Sequence, residues 1–341
     1  MNFKSNRKST TSNGCENALA PEEQKQKIDE VRKLIGPISG KLALFCSDSS
    51  ISRYLRARNW NVKKAVKMLK ATLKWRLEYK PENLQWDDVS SEAETGKIYR
   101  SNCKDKLGRT VLVMRPRCQN TKSTKGQIKY LVYCMENAIV NLGEDQEQMV
   151  WLIDFHGFNI SHISLKVTKE TAHVLQEHYP ERLGLAILYD PPKIFEPFWK
   201  MAKPFLEPKT VKKVNFVYAD DPNSKKIMEG MFDTSELEAS FGGKGSADFN
   251  IKEYAERMRE DNKKVAAFWA TMQKDQNSHH SETAIVPCLE ANTNSSSDSD
   301  TSNKNAQKSS SHDDDDDDDD DDGEHEEEEE EGDGESFPSS R

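Results

Sequence analysis

The chain has 341 residues, of which 35% are hydrophobic and 32% charged, and a formal net charge of −10. The charge is split: residues 274–341 hold 24 Asp and Glu against 4 Lys and Arg, leaving 45 basic and 35 acidic residues ahead of them. An acidic run of that density cannot bury enough apolar surface to offset the entropy of ordering it. Residues 271–341, with ten aspartates at 313–322, are therefore excluded from any folded core and expected to be a disordered acidic tail.

From the N-terminus, residues 1–20 are rich in Ser, Asn and Thr and are expected to be disordered. They carry no signal-peptide apolar run, and no stretch of the chain approaches the ~20 apolar residues of a membrane span, so a soluble, cytoplasmic protein is expected. From about Glu22 to Tyr79 the pattern is helical. Asp48, Ser49 and Ser50 offer N-caps, and Val62, Val66, Leu69, Leu73 and Leu77 form one apolar stripe that Pro81 ends. These features predict a small all-helical module over residues 21–85.

Beyond a charged connector, four β-rich runs follow at 110–115, 150–155, 185–190 and 214–219. Helical periods fill the gaps at 128–142 and 164–179. Strands joined by crossovers of this length are parallel, which predicts an α/β fold over residues 86–270: a mixed, mostly parallel sheet with flanking helices.

The six cysteines form no CxxC pair and have no histidine at ligand spacing, so no metal or other cofactor is expected. FGGKGS at 241–246 lacks the first glycine of a phosphate-binding loop, and no GxGxxG, HExxH or GxSxG occurs. Catalysis is not expected, nor is a nucleic-acid partner.

One stretch stands apart. PPKIFEPFWKMAKPFLEP, residues 191–208, concentrates five prolines, four aromatics and three lysines. Its apolar positions recur at helical spacing from Phe195, with Lys193, Lys200 and Lys203 beside them. Periodicity fits a core-facing crossover helix. Periodicity alone favours that reading over the alternative, a lid whose aromatic face covers an apolar cavity and whose lysines face anionic lipid.

In the order and spacing of ISRYLRARNWNVKKAVKMLKATLKWR (51–76), Asp154 followed by GFNIS, YPERLG (179–184), PFLEPKTVKKV (204–214) and LEASFGGKG (237–245), the chain resembles the CRAL-TRIO lipid-transfer family, in its phosphatidylinositol/phosphatidylcholine transfer branch. The resemblance runs from about Leu34 to Phe249. It implies a lipid-binding domain with a deep apolar pocket for one phospholipid, preceded by the family's N-terminal helices. It also makes residues 193–206 a gate helix that contacts the membrane through Phe195, Phe198, Trp199, Lys200, Lys203 and Phe205. The head-group site it implies is Arg58, Glu181, Thr210 and Lys213, in which Glu181 would pair with Lys213 and Arg58; the same residues also suit a structural ion-pair network.

Two departures bear on the ligand. Asn59 replaces a basic residue beside the matching arginine, and Met149 and Trp151 replace hydroxyls that serve phosphatidylcholine in the family. Phosphatidylinositol is the favoured lipid, with another hydrophobic ligand as the alternative. The expected partners are the phospholipid and an anionic membrane surface, visited transiently by a monomer. The acidic tail either competes with that surface for the basic body, recruits a basic protein in a scaffold role, or confers solubility.

Overall fold

Alternation and apolar runs decide the architecture. The computed structural model describes residues 19–143, 145–245 and 249–279. Its N-terminal part comprises helices α1 (Pro21–Ile35), α2 (Lys41–Leu44), α3 (Asp48–Ala57) and α4 (Val62–Tyr79). Ile28, Val31, Ile51, Leu55, Ala65, Leu69 and Leu73 form a core of their own among these helices. Ser47, one residue ahead of the expected caps, accepts the Ser50 N–H at 3.2 Å and starts α3. Lys80 ends α4 in a left-handed conformation (φ 53°), and Pro81 follows.

The buried face of α4 differs from the expected stripe. Ala65, Met68, Leu69, Thr72, Leu73 and Arg76 are buried, whereas Leu77 is 47% exposed. The helix has two neighbours rather than one. The Thr72 hydroxyl donates to the Glu177 carbonyl at 2.9 Å, and Arg76 pairs with Glu136 at 2.6 Å, so polar positions facing the second domain are buried too.

The rest is a five-stranded sheet in the order β1 (Ile98–Lys104), β2 (Thr110–Met114), β3 (Met149–Asp154), β4 (Leu183–Tyr189) and β5 (Val214–Val217). β1 and β2 are antiparallel; the other pairs are parallel. Strand β1 is an addition to the four predicted runs. Its sequence, IYRSNCK, is half polar, and only Tyr99, Ser101 and Cys103 are fully buried.

Short α5 (Ser90–Ala93) precedes the sheet. Helices α6 (Thr124–Val140) and α7 (Leu165–His178) cross from β2 to β3 and from β3 to β4, while α8 (Phe195–Ala202) and α9 (Pro208–Val211) connect β4 to β5. Parallel strands in consecutive order with right-handed crossovers put all connecting helices on one face. Alternating residues confirm that division: Leu112, Met149 and Trp151 meet α6 and α7, and Leu188 meets α8, whereas Val111, Val150, Leu152, Ile187 and Val217 point to the other side.

That opposite side is closed by α10 (Pro222–Met231) and α11 (Ile251–His279), through Met228, Tyr254 and Met258. Between them the 237–245 loop returns so closely that a Cβ on Gly243 would lie 1.9 Å from the Leu237 carbonyl oxygen, which fixes glycine there. Helix α11 continues to His279, so the boundary expected at residue 271 falls within a helix. The expected disorder of residues 1–18 and of the tail from residue 280 lies outside the described residues. Among the described residues no helix is long and apolar enough to cross a membrane.

Candidate functional site

The prolines of 191–208 bracket an element with two unlike sides. Helix α8 begins at Phe195 with Pro197 in its first turn, and Pro204 lies in the 3₁₀ turn that follows. Phe195, Phe198 and Ala202 are buried against Phe155 and Leu188. The Phe195 ring centre lies 4.4 Å from that of Phe155 and 5.8 Å from that of Phe158. On the outer side Ile194 and Met201 are 56% and 52% exposed, and Lys200 pairs with Glu196 at 2.9 Å.

The structure thus sorts the six residues expected to touch a membrane. Lys200 and Lys203 are exposed, Trp199 and Phe205 half-buried, and Phe195 and Phe198 buried within the protein. Ile194 and Met201, absent from that set, are the apolar residues that do face outward. The stretch after the helix is pinned to α7 by one side chain: the Gln176 amide donates to the Phe205 carbonyl at 2.9 Å and accepts the Glu207 N–H at 2.6 Å.

Two cavities lie along α6 and α7. The larger, about 170 Å³, is lined by Ile98, Met114, Leu131, Ile163, Val167 and Trp151, among others. The smaller, about 90 Å³, is lined by Met135, Ala172, Leu175, Tyr179 and Trp151, with a polar end formed by Glu181, Arg182, Glu207, Lys209, Thr210 and Lys213. The one deep pocket implied by the resemblance is therefore divided. Each part is smaller than the roughly 300–1,000 Å³ of a small-molecule site. The inward aromatics of α8 occupy the sheet face over β3 and β4, and the Trp151 ring stands between the two parts.

Of the four expected head-group residues, three come together. Glu181, Thr210 and Lys213 line the smaller cavity, and the Lys213 ammonium lies 3.2 Å from the Glu181 carboxylate. Glu181 sits at φ 57°, so the turn before β4 presents it from a left-handed backbone position. Arg58 is held elsewhere, by Glu207 at 2.9 Å and Glu177 at 3.2 Å, and meets the cavity rim through Glu207 and the Ala57 carbonyl. The expected Glu181–Arg58 pair is replaced by those with Glu207 and Glu177. Glu177 and Glu207 had no signal of their own, being two glutamates among many until α7 and the 204–214 turn bring them to α3.

Further cations gather nearby. Glu147 accepts from Arg53 at 2.8 Å and Arg56 at 2.5 Å, and its backbone carbonyl accepts from Arg182 at 2.9 Å. Burial, and then the neighbouring Arg53, brings the Arg182 guanidinium down to about 10. Burial would raise the Glu147 carboxyl, but Arg56 and Arg53 prevail and hold it below its usual range.

At the junction of the N-terminal helices with α7, the His178 ring stacks on Trp75 with centres 4.1 Å apart. Burial, then His173 and Arg76, lowers His178 to about 4. An unfolded histidine titrates near 6.5, so as the pH falls the unfolded chain takes up the proton first; stability is full above that pH and is lost between about 6.5 and 4. Allowing for solvent screening of a half-buried ring, the loss is on the order of 1–2 kcal/mol. Urea unfolding at pH 7 and pH 5 checks this: His178→Phe keeps the stacking and is expected to flatten the difference by about 1 kcal/mol, the part of that loss that falls above pH 5.

The chain matches the CRAL/TRIO domain over residues 93–243 and the CRAL/TRIO N-terminal domain over residues 25–71. The protein belongs to the CRAL-TRIO family.

Its relatives include a CRAL-TRIO domain-containing protein of Schizosaccharomyces pombe, 34% identical across 62% of this chain and 20% of the relative. The phosphatidylinositol transfer protein PDR17 of Saccharomyces cerevisiae is 33% identical across 61% of this chain and 60% of its own length. The chain thus spans less than two thirds of either relative. The SEC14 cytosolic factor of Candida glabrata is 29% identical across 59% of this chain and 72% of that protein. The crystal structure of Sfh5 shares the fold, with a TM-score of 0.57 at 17% identity, covering 77% of this chain and 100% of that one.

Proposed function

We propose that the protein is a carrier that binds one phospholipid, with an inositol head group favoured, along the α6–α7 face of its sheet and exchanges it at an anionic membrane. The observation that carries this reading is the amphipathic cavity ending in Glu181, Thr210 and Lys213, beside a helix with a buried aromatic side and an exposed side bearing Ile194, Lys200 and Met201. A phosphate at the polar end would accept from the Lys213 ammonium and the Thr210 hydroxyl, with Glu181 holding the lysine in place. Relatives named as phosphatidylinositol transfer proteins support the same ligand class.

Energetics require a closed state. At ~0.8 kcal/mol per CH₂, a chain of ~16 carbons costs about 13 kcal/mol to expose to water, so release away from a membrane would be very slow. Docking through the outer side of α8 and movement of residues 193–206 would open the divided space only where an acceptor bilayer is present.

The test is selective loading. Replacing Lys213 and Thr210 by Ala is expected to lower inositol-lipid uptake from mixed vesicles at least about a hundredfold, since two hydrogen bonds to a charged group are lost and each is worth about 1.5–3 kcal/mol. Uptake of phospholipids with other head groups should stay within about twofold by mass spectrometry. Equal loss for every lipid would assign these residues to an ion-pair network alone.

A further inference from the structure

Trp151 is the one residue that lines both cavities. Their walls otherwise follow the same two helices one turn apart: Leu131 and Thr168 belong to the larger, Met135 and Ala172 to the smaller. A four-residue step on a helix is about 6 Å, so the cavities lie in file and the indole is the wall between them. Its polar atom is unusual. Trp151 Nε1 is shielded from solvent and has no hydrogen-bond partner among the described residues. Leu112 and Ala186, opposite Trp151 on the adjoining strands, offer it no side-chain acceptor. Buried indole N–H groups are normally paired, and leaving one unpaired costs free energy that an apolar ring of similar shape would not incur.

We propose that Trp151 is a ligand-binding residue whose indole N–H donates to an ester carbonyl of the bound phospholipid, at the point where an acyl chain passes from the smaller cavity into the larger. The assignment rests on the phospholipid-carrier reading above. The chemistry of the surroundings selects the acceptor. A phosphate is served at the polar end by Lys213 and Thr210, whereas at the wall between the cavities Trp151 is the buried donor without a partner, with apolar Leu131, Met135 and Ile163 beside it and the neutral polar Gln127, Ser164 and Thr168 also lining the larger cavity. An ester carbonyl is the neutral acceptor that a phospholipid carries where its polar part meets its chains. An ether linkage has a much poorer acceptor at the same place. The wild-type ring thereby discriminates by linkage, and it must turn aside as the chain enters, joining the two cavities.

The test compares inositol phospholipids with ester-linked and ether-linked chains, presented at equal mole fraction in phosphatidylcholine vesicles to the full chain and to Trp151→Phe. Uptake is read by mass spectrometry of the re-isolated protein. Wild type is expected to favour the ester lipid about threefold to tenfold, the worth of one neutral hydrogen bond, and Trp151→Phe to bring that ratio to about one while still loading both. Because Phe removes the unpaired donor without emptying the site, the variant should unfold at a temperature no lower than wild type, which separates lost pairing from lost fold. An unchanged ester-to-ether ratio in the variant, or no preference in wild type, overturns the assignment and leaves the carrier reading intact. Uptake of neither lipid by wild type overturns both.

Discussion

Arg76→Met is expected to destabilise the protein by about 3–5 kcal/mol, the characteristic loss when one partner of a buried ion pair is removed and the other charge is left behind. Arg76 is 5% exposed in α4 and faces Glu136 of α6 at 2.6 Å, with Glu82 at 3.6 Å and the Phe45 ring 3.8 Å from its guanidinium. Methionine fills much of the arginine stem but pairs with neither carboxylate. Glu136 would then keep one donor, the Tyr179 hydroxyl at 2.7 Å, and Glu82 Oε2, already without a hydrogen bond, would lose its nearby positive charge. Tyr179 also lines the smaller cavity, so the damage reaches the site. Urea unfolding gives the magnitude. The double variant Arg76→Met, Glu136→Gln should recover part of the loss, because it removes the stranded charge as well as its partner. A single-variant cost below about 1 kcal/mol would mean that water already screens the pair.

The same pair explains what the sequence could and could not show. Strands β2 to β4 were legible because parallel strands buried on both faces are nearly continuous apolar runs, as in TVLVM and LGLAILY, while β5, an edge strand in which Val217 alone is buried, was legible through the β-branched and aromatic residues of VNFV. Strand β1 was not: an edge strand needs only its inner positions to be apolar, and Ser101 and Cys103 carry weak signals there. The α4 stripe was misplaced toward Leu77 because periodicity assumes that polar residues face water. Thr72 and Arg76 face a second domain, and their partners lie 105 and 60 positions away.

For the site, Glu181, Thr210 and Lys213 were legible through family motifs and do converge. The division of the cavity was not, since it depends on which way Trp151 and the α8 aromatics pack. A helix with an apolar stripe has the same sequence whether that stripe fills a cavity or roofs it.

The second large effect follows from that packing. Phe195→Ala with Phe198→Ala is expected to shift the balance between closed and open α8 by at least about 3 kcal/mol, the lower end for deleting a buried phenyl ring, or roughly two orders of magnitude in the population of the open form. Phe195 contributes most, because its ring meets those of Phe155, Phe158, Phe198 and Trp199, and aromatic pairs add about 0.5–1.5 kcal/mol beyond burial. The Gln176 contacts at the end of the segment would remain, so the helix would loosen about that end rather than detach. A preloaded fluorescent phospholipid should then escape to a dilute acceptor far faster than from wild type, even when the acceptor is a lipid-binding protein and no bilayer is present. Ile194→Ala with Met201→Ala provides the contrast. Those side chains face outward, so their loss should weaken vesicle binding while leaving membrane-free escape near the wild-type rate. Equal escape rates for the inward and outward pairs would show that the buried aromatic side of α8 does not hold the lipid in, and that closure depends on other contacts.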